Sequence, residues 1–105
     1  MIRWIGNVRT TQATAGSVDQ VKRRVKWRKK TSAVNYCVAF ALSDNNMFDI
    51  FNMGELAFRM FMRSGADITI VGIAESKDAA IELAGSLIKE TFEATGGFDV
   101  RNYFK

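Results

Sequence analysis

Residues 17–30 run Ser17-Val18-Asp19-Gln20-Val21-Lys22-Arg23-Arg24-Val25-Lys26-Trp27-Arg28-Lys29-Lys30, and the fold turns on whether they form a strand or a helix. The helical reading has a capping box, with Ser17 as N-cap and Gln20 at the third helical position. It sets Val18, Val21 and Val25 on one narrow face. The strand reading alternates Val25 and Trp27 with Lys26 and Arg28. Seven of the nine residues from Lys22 to Lys30 are cations. Their repulsion at i,i+4 spacing weakens an isolated helix and is milder across a solvated strand face. Strand is therefore the preferred expectation, and the chain then opens as a meander of three short runs. A helix here would give alternating elements and admit a more parallel sheet.

The flanking segments frame that choice. On the N-terminal side, Ile2, Trp4 and Val8 alternate with Arg3, Asn7 and Arg9, the period of a half-buried strand over residues 2–11. Gly6 interrupts the inward face, which marks a bulge or a close approach of backbone. Residues 10–16 then read as a turn. On the C-terminal side, Ala33 to Ser43 is the clearest strand. Val34, Tyr36, Val38, Phe40 and Leu42 form its bulky face, and Asn35, Cys37, Ala39, Ala41 and Ser43 form a face of smaller residues. That pattern suits the middle of a sheet.

Asp44-Asn45-Asn46 supplies capping chemistry. From Met47 to Ser64 the polar residues Asn52, Glu55, Arg59 and Arg63 recur at helical spacing among Met and Phe, so a helix is expected over about 46–64. Gly54 is a point where it would divide. Asp67 to Glu75 is a second apolar strand with both faces covered. Ser76 caps a helix over 77–95, with Ala80, Ala84, Leu87, Ile88, Thr91 and Phe92 inward and Glu82, Ser86, Lys89 and Glu93 toward water. Thr95-Gly96-Gly97 ends it. Phe98, Val100 and Phe104 anchor a short last strand or a packed tail. The expected fold is a single α+β domain over residues 1–105, a two-layer sandwich. Its sheet is mainly antiparallel, of about four to five strands, with the helices at 46–64 and 77–95 on one face.

Composition narrows the function. The chain has 105 residues and is 48% hydrophobic, which fits one globular domain with one core. Histidine is absent, so there is no Ser-His or Cys-His nucleophile pair. The single cysteine, Cys37, excludes an internal disulfide and leaves no zinc ligand set of the usual kind. Mid-strand among apolar neighbours, Cys37 reads as an inert buried thiol. The expectation is a chain without catalytic residues, cofactor or metal. Met1-Ile2-Arg3-Trp4 does not open a secretory signal, and the longest uncharged stretch, Thr31 to Ser43, is too short to cross a bilayer. A cytoplasmic protein without membrane contact is therefore expected.

Two surfaces carry the functional expectations. Residues 1–45 hold nine Lys/Arg and two Asp/Glu, a net of +7, while residues 46–105 hold six and nine, a net of −3. Such a split suits an acidic partner or copies docking on one another. Lys22, Arg23, Arg24, Lys26, Trp27 and Arg28 form a patch for phosphates, with Trp27 placed to stack on a base. Arg3, Trp4 and Arg9 extend it if the first two strands pair. The alternative is a solvated face that blunts a sheet edge. The Met/Phe segment offers Phe48, Phe51, Phe58 and Met62 as a protein interface, or simply as core. A third site is the junction from Gly72 to Ser76, where a helix N-terminus can hold an anion or small ligand, although ordinary capping explains Ser76 fully. Asp99 and Arg101 would share a strand face as a surface pair of little weight. The leading function is a non-catalytic protein-binding module that self-associates; nucleic-acid binding is the alternative.

Overall fold

A computed structural model describes residues 2–26, 36–41, 46–54 and 68–104. Its elements are β1 (Ile2–Thr10), α1 (Val18–Lys26), β2 (Tyr36–Phe40), β3 (Phe48–Asn52), β4 (Ile68–Ala74), α2 (Lys77–Thr95) and α3 (Val100–Tyr103). The four strands form one sheet in the order β1-β4-β2-β3. β1 runs parallel to β4, whereas β2 is antiparallel to both β4 and β3. The fold is α+β with a mixed sheet. β2 and β4, the strands with apolar residues on both faces, hold the two interior positions, as their composition requires.

The expected strand at 17–30 is corrected to a helix over Val18–Lys26. The helical side of the comparison wins. Val21 N donates to Ser17 O at 3.0 Å, and Val21 is only 2% exposed, with Val18 partly buried against the same core. Burial of Val21 outweighs repulsion among the α1 cations, where each i,i+4 pair costs only a few tenths of a kcal/mol, about 0.2–0.5. β1 then takes β4, not the 17–30 segment, as its neighbour. Trp27 to Lys30 lie outside the described residues.

The expected helix at 46–64 is corrected over its first part. Phe48–Asn52 is β3, paired from Phe40↔Phe48 to Tyr36↔Asn52. The helical spacing of polar residues only begins at Asn52, and the run before it has no period that separates a helix from a buried strand. Antiparallel pairing with β2 satisfies that edge and decides the matter. Met53 and Gly54 are helical, and residues 55–67 lie outside the described residues.

Helix α2 has the expected bounds. Ser76 Oγ accepts from Ala79 N at 3.1 Å, and Gly96 takes a left-handed φ of 75° while its N–H reaches Phe92 O at 2.8 Å. Ala80, Ala84, Leu87 and Thr91 are its buried face. Leu83 lies over Gly72 of β4: a β-carbon at residue 72 would stand 2.8 Å from Leu83 Cδ2 and 3.4 Å from the backbone oxygen of Arg9. The close backbone approach anticipated at Gly6 is therefore found at Gly72. Gly6 itself is exposed and sits inside a bulge, where the β1–β4 register jumps from Trp4↔Ile70 to Arg9↔Gly72.

Register sorts the faces. Arg9 and Val38 are both paired with Gly72 and lie on the α2 side. Trp4 and Ala39 are paired with Ile70 and point the other way, and Lys22 of α1 stands 5.7 Å from the Trp4 ring on that side. The segment after Gly97 is a packed tail containing a short helix, not a strand. Val100 and Phe104 are buried, while Phe98 is 53% exposed.

Candidate functional site

A polar cluster on the α2 side is built around Arg9. The β1 bulge returns this residue to the face of Gly72, directly under the C-terminal half of α2. Arg9 Nη1 and Nη2 donate to the two carboxylate oxygens of Glu90 at 3.0 Å each. The guanidinium also stands 5.4 Å from the centre of the Phe104 ring. A hydrogen bond to the same Glu90 carboxylate is the main cause that raises the Tyr103 phenol above its ordinary value, followed by burial and the Glu90 charge, with Arg9 opposing.

The rest of the cluster holds the tail. Arg101 donates to Ala41 O and lies 5.4 Å from the centre of the Phe40 ring. Phe40 stacks on Phe48 at 6.2 Å, and Phe48 meets Phe104 at 6.3 Å. Asp99 caps α3 through Asn102, so the expected Asp99–Arg101 pair does not form. The chemistry here is anchoring: the edge strand, α2 and the tail are tied at one point.

The junction between β4 and α2 is filled by its own polar groups. The buried Thr14 Oγ1 donates to Ile73 O at 3.1 Å, Thr11 N donates to Thr14 Oγ1 at 2.9 Å, and Thr11 Oγ1 donates to Glu75 Oε2 at 2.9 Å. Ser76 Oγ is engaged by Ala79 N. A carboxylate thus stands beside the helix N-terminus, which opposes an incoming anion. Among the described residues, no three His, Cys, Asp or Glu side chains gather to hold a metal ion.

The basic residues are only partly brought together. Lys22, half-buried, lies over Trp4, and Arg23 is exposed. Arg24 and Lys26 belong to the last turns of α1, while Trp27 and Arg28 lie outside the described residues. Arg3 is exposed on β1, but Arg9 is withdrawn from this patch to Glu90.

The expected interface residues also separate. Phe51 is 4% exposed and belongs to the core, and Phe48 is half-buried between Phe40 and Phe104. Phe58 and Met62 lie outside the described residues. Among the described residues, the large exposed apolar side chains lie elsewhere, on α2 and in the segment that follows it. Ile81 is 50% exposed and Phe92 49%, and Phe92 stacks on the exposed Phe98 at 5.2 Å. The inward place expected for Phe92 is corrected to an outward one, because Ala80, Ala84, Leu87 and Thr91 already fill the arc over the sheet. The signal for this is a second row in the sequence, Ile81, Gly85, Ile88 and Phe92, alongside the buried one.

No family model matches the chain, and neither a curated protein nor a solved structure matches it. Among the described residues, no helix is long and apolar enough to cross a membrane.

Proposed function

We propose that this chain is a non-catalytic protein-binding module and that its partner is a second copy of itself. The supporting observation is that Ile81 and Phe92 on α2, and Phe98 just beyond its end, each keep about half of their surface in water. Removing such surface from water favours association by roughly 25 cal/mol per Å² before the cost of ordering two molecules. The opposite net charges of the N- and C-terminal parts, +7 over residues 1–45 and −3 over residues 46–105, also favour contact between copies. Light scattering behind a sizing column is the test. A mass above the monomer that falls on dilution, and falls further with Ile81→Ser and Phe92→Ser, is expected. A strict monomer across a wide concentration range overturns the reading.

A second reading is nucleic-acid binding by α1. It rests on Lys22, Arg23, Arg24 and Lys26 within one nine-residue helix, with Arg3 exposed on β1. Affinity for generic DNA or RNA should then fall steeply with salt and drop when Lys22, Arg23 and Arg24 become Ala. Absence of binding at low salt removes this reading.

A further inference from the structure

We propose that the second copy docks α2 against α2 in antiparallel order, about a two-fold axis that passes between Ser86 and Leu87. This rests on the self-association proposed above and specifies its geometry.

The first argument is spacing. Ile81, Gly85, Ile88 and Phe92 follow one another at steps of four, three and four residues, the repeat of a coiled-coil seam. All four lie beside the buried arc and not within it: Ile81, Gly85 and Phe92 are exposed and Ile88 is partly so. Phe98, stacked on Phe92, widens one end of the seam.

The second argument is shape. An antiparallel pairing about that axis sets Gly85 opposite the second copy's Ile88, and Ile81 opposite its Phe92. A β-carbon at Gly85 would meet no atom within 4 Å, so this position is an open notch in the row. A branched side chain from the other copy fits it. A parallel pairing would set glycine on glycine and phenylalanine on phenylalanine, leaving a void at one level and crowding at another.

The third argument is charge. Glu82 and Lys89 are exposed and each follows a seam isoleucine, so both lie on the same flank. Antiparallel order brings Glu82 of each copy to Lys89 of the other, giving two equivalent ion pairs across the axis. The opposite flank carries Ala84 and Thr91, which are buried and uncharged, so parallel order makes no such pair. Lys89 Nζ is now 3.8 Å from Glu93 Oε1, a loose contact between exposed side chains that costs little to exchange.

The test uses the full chain at low salt. Glu82→Lys alone and Lys89→Glu alone each set like charges at both pairs and should weaken the dimer about tenfold. The double variant Glu82→Lys/Lys89→Glu should restore it. These surface changes leave the core untouched, and circular dichroism confirms the fold of each variant. Independently, a chain carrying both Ile81→Cys and Phe92→Cys should oxidise to a disulfide joining residue 81 of one copy to residue 92 of the other. A wild-type chain that stays monomeric overturns self-association itself. A dimer that the double variant fails to restore, or that cross-links 81 to 81 and 92 to 92, overturns the antiparallel geometry while leaving self-association in place.

Discussion

Arg9 and Glu90 stand far apart in the chain and meet through two parallel hydrogen bonds of 3.0 Å. One residue lies on the edge strand and the other in the last third of α2. Their meeting point is also where Phe104 packs under the guanidinium and where the Tyr103 phenol is held. Three segments that are distant in sequence are thereby fixed to one another.

The strength of this pair is bounded by its exposure. Each side chain keeps 34% of its surface in water, so solvent screens the attraction. A double-mutant cycle with Arg9→Ala and Glu90→Ala should give a coupling of about 1 kcal/mol in urea unfolding, with the paired fork geometry favouring the upper side of the surface range. A coupling near zero would show that the pair decorates the fold without holding it.

Tyr103 should titrate above its ordinary value of 10.0, because the protonated phenol donates a hydrogen bond to the Glu90 carboxylate that ionisation would lose. The sign follows from linkage: the folded state favours the protonated phenol. Its contribution to stability is complete below the unfolded value and is lost as pH rises through the higher folded one. The chain has two tyrosines, so the phenolate absorbance of Tyr36→Phe isolates Tyr103. Glu90→Gln should lower the Tyr103 midpoint; an unchanged midpoint would refute the assigned cause.

Gly72→Ala should destabilise the fold by about 1–3 kcal/mol, through overpacking against Leu83 and the Arg9 carbonyl. Because the nearest atom is the tip of a flexible side chain, Leu83→Ala in the same chain should cost less than the sum of the two single changes. Strict additivity in chemical denaturation would contradict the close approach.

The two ends of α2 make separate predictions. Ser76→Ala removes the acceptor for Ala79 N and should cost about 1 kcal/mol, whereas Ser76→Asp should be tolerated. Gly96→Ala forces a side chain into a left-handed backbone at φ 75° and should also cost about 1 kcal/mol. Thermal melts of the three variants check both ends, and equal stability of Ser76→Ala and wild type would remove the cap.

What is legible in the sequence is what is written locally. The bounds of α2 follow from Ser76 and Gly96, whose capping roles need only neighbours within four residues. The interior places of β2 and β4 follow from apolar residues on both faces, since no edge strand can hide both. The absence of histidine, a matter of composition alone, removes the commonest catalytic pairs. The tertiary structure decided the rest. Residues 17–30 carry strand and helix signals in near balance, and burial of Val21 in the core tips Val18–Lys26 to helix. Phe48 to Asn52 lack a resolving period, and the open edge of β2 makes them a strand. The bulge that turns Arg9 toward Glu90, and the filling of the α2 arc that turns Phe92 outward, depend on residues far along the chain. Local chemistry determined where α2 starts and stops; long-range packing determined what each uncertain segment became and which of its residues face water.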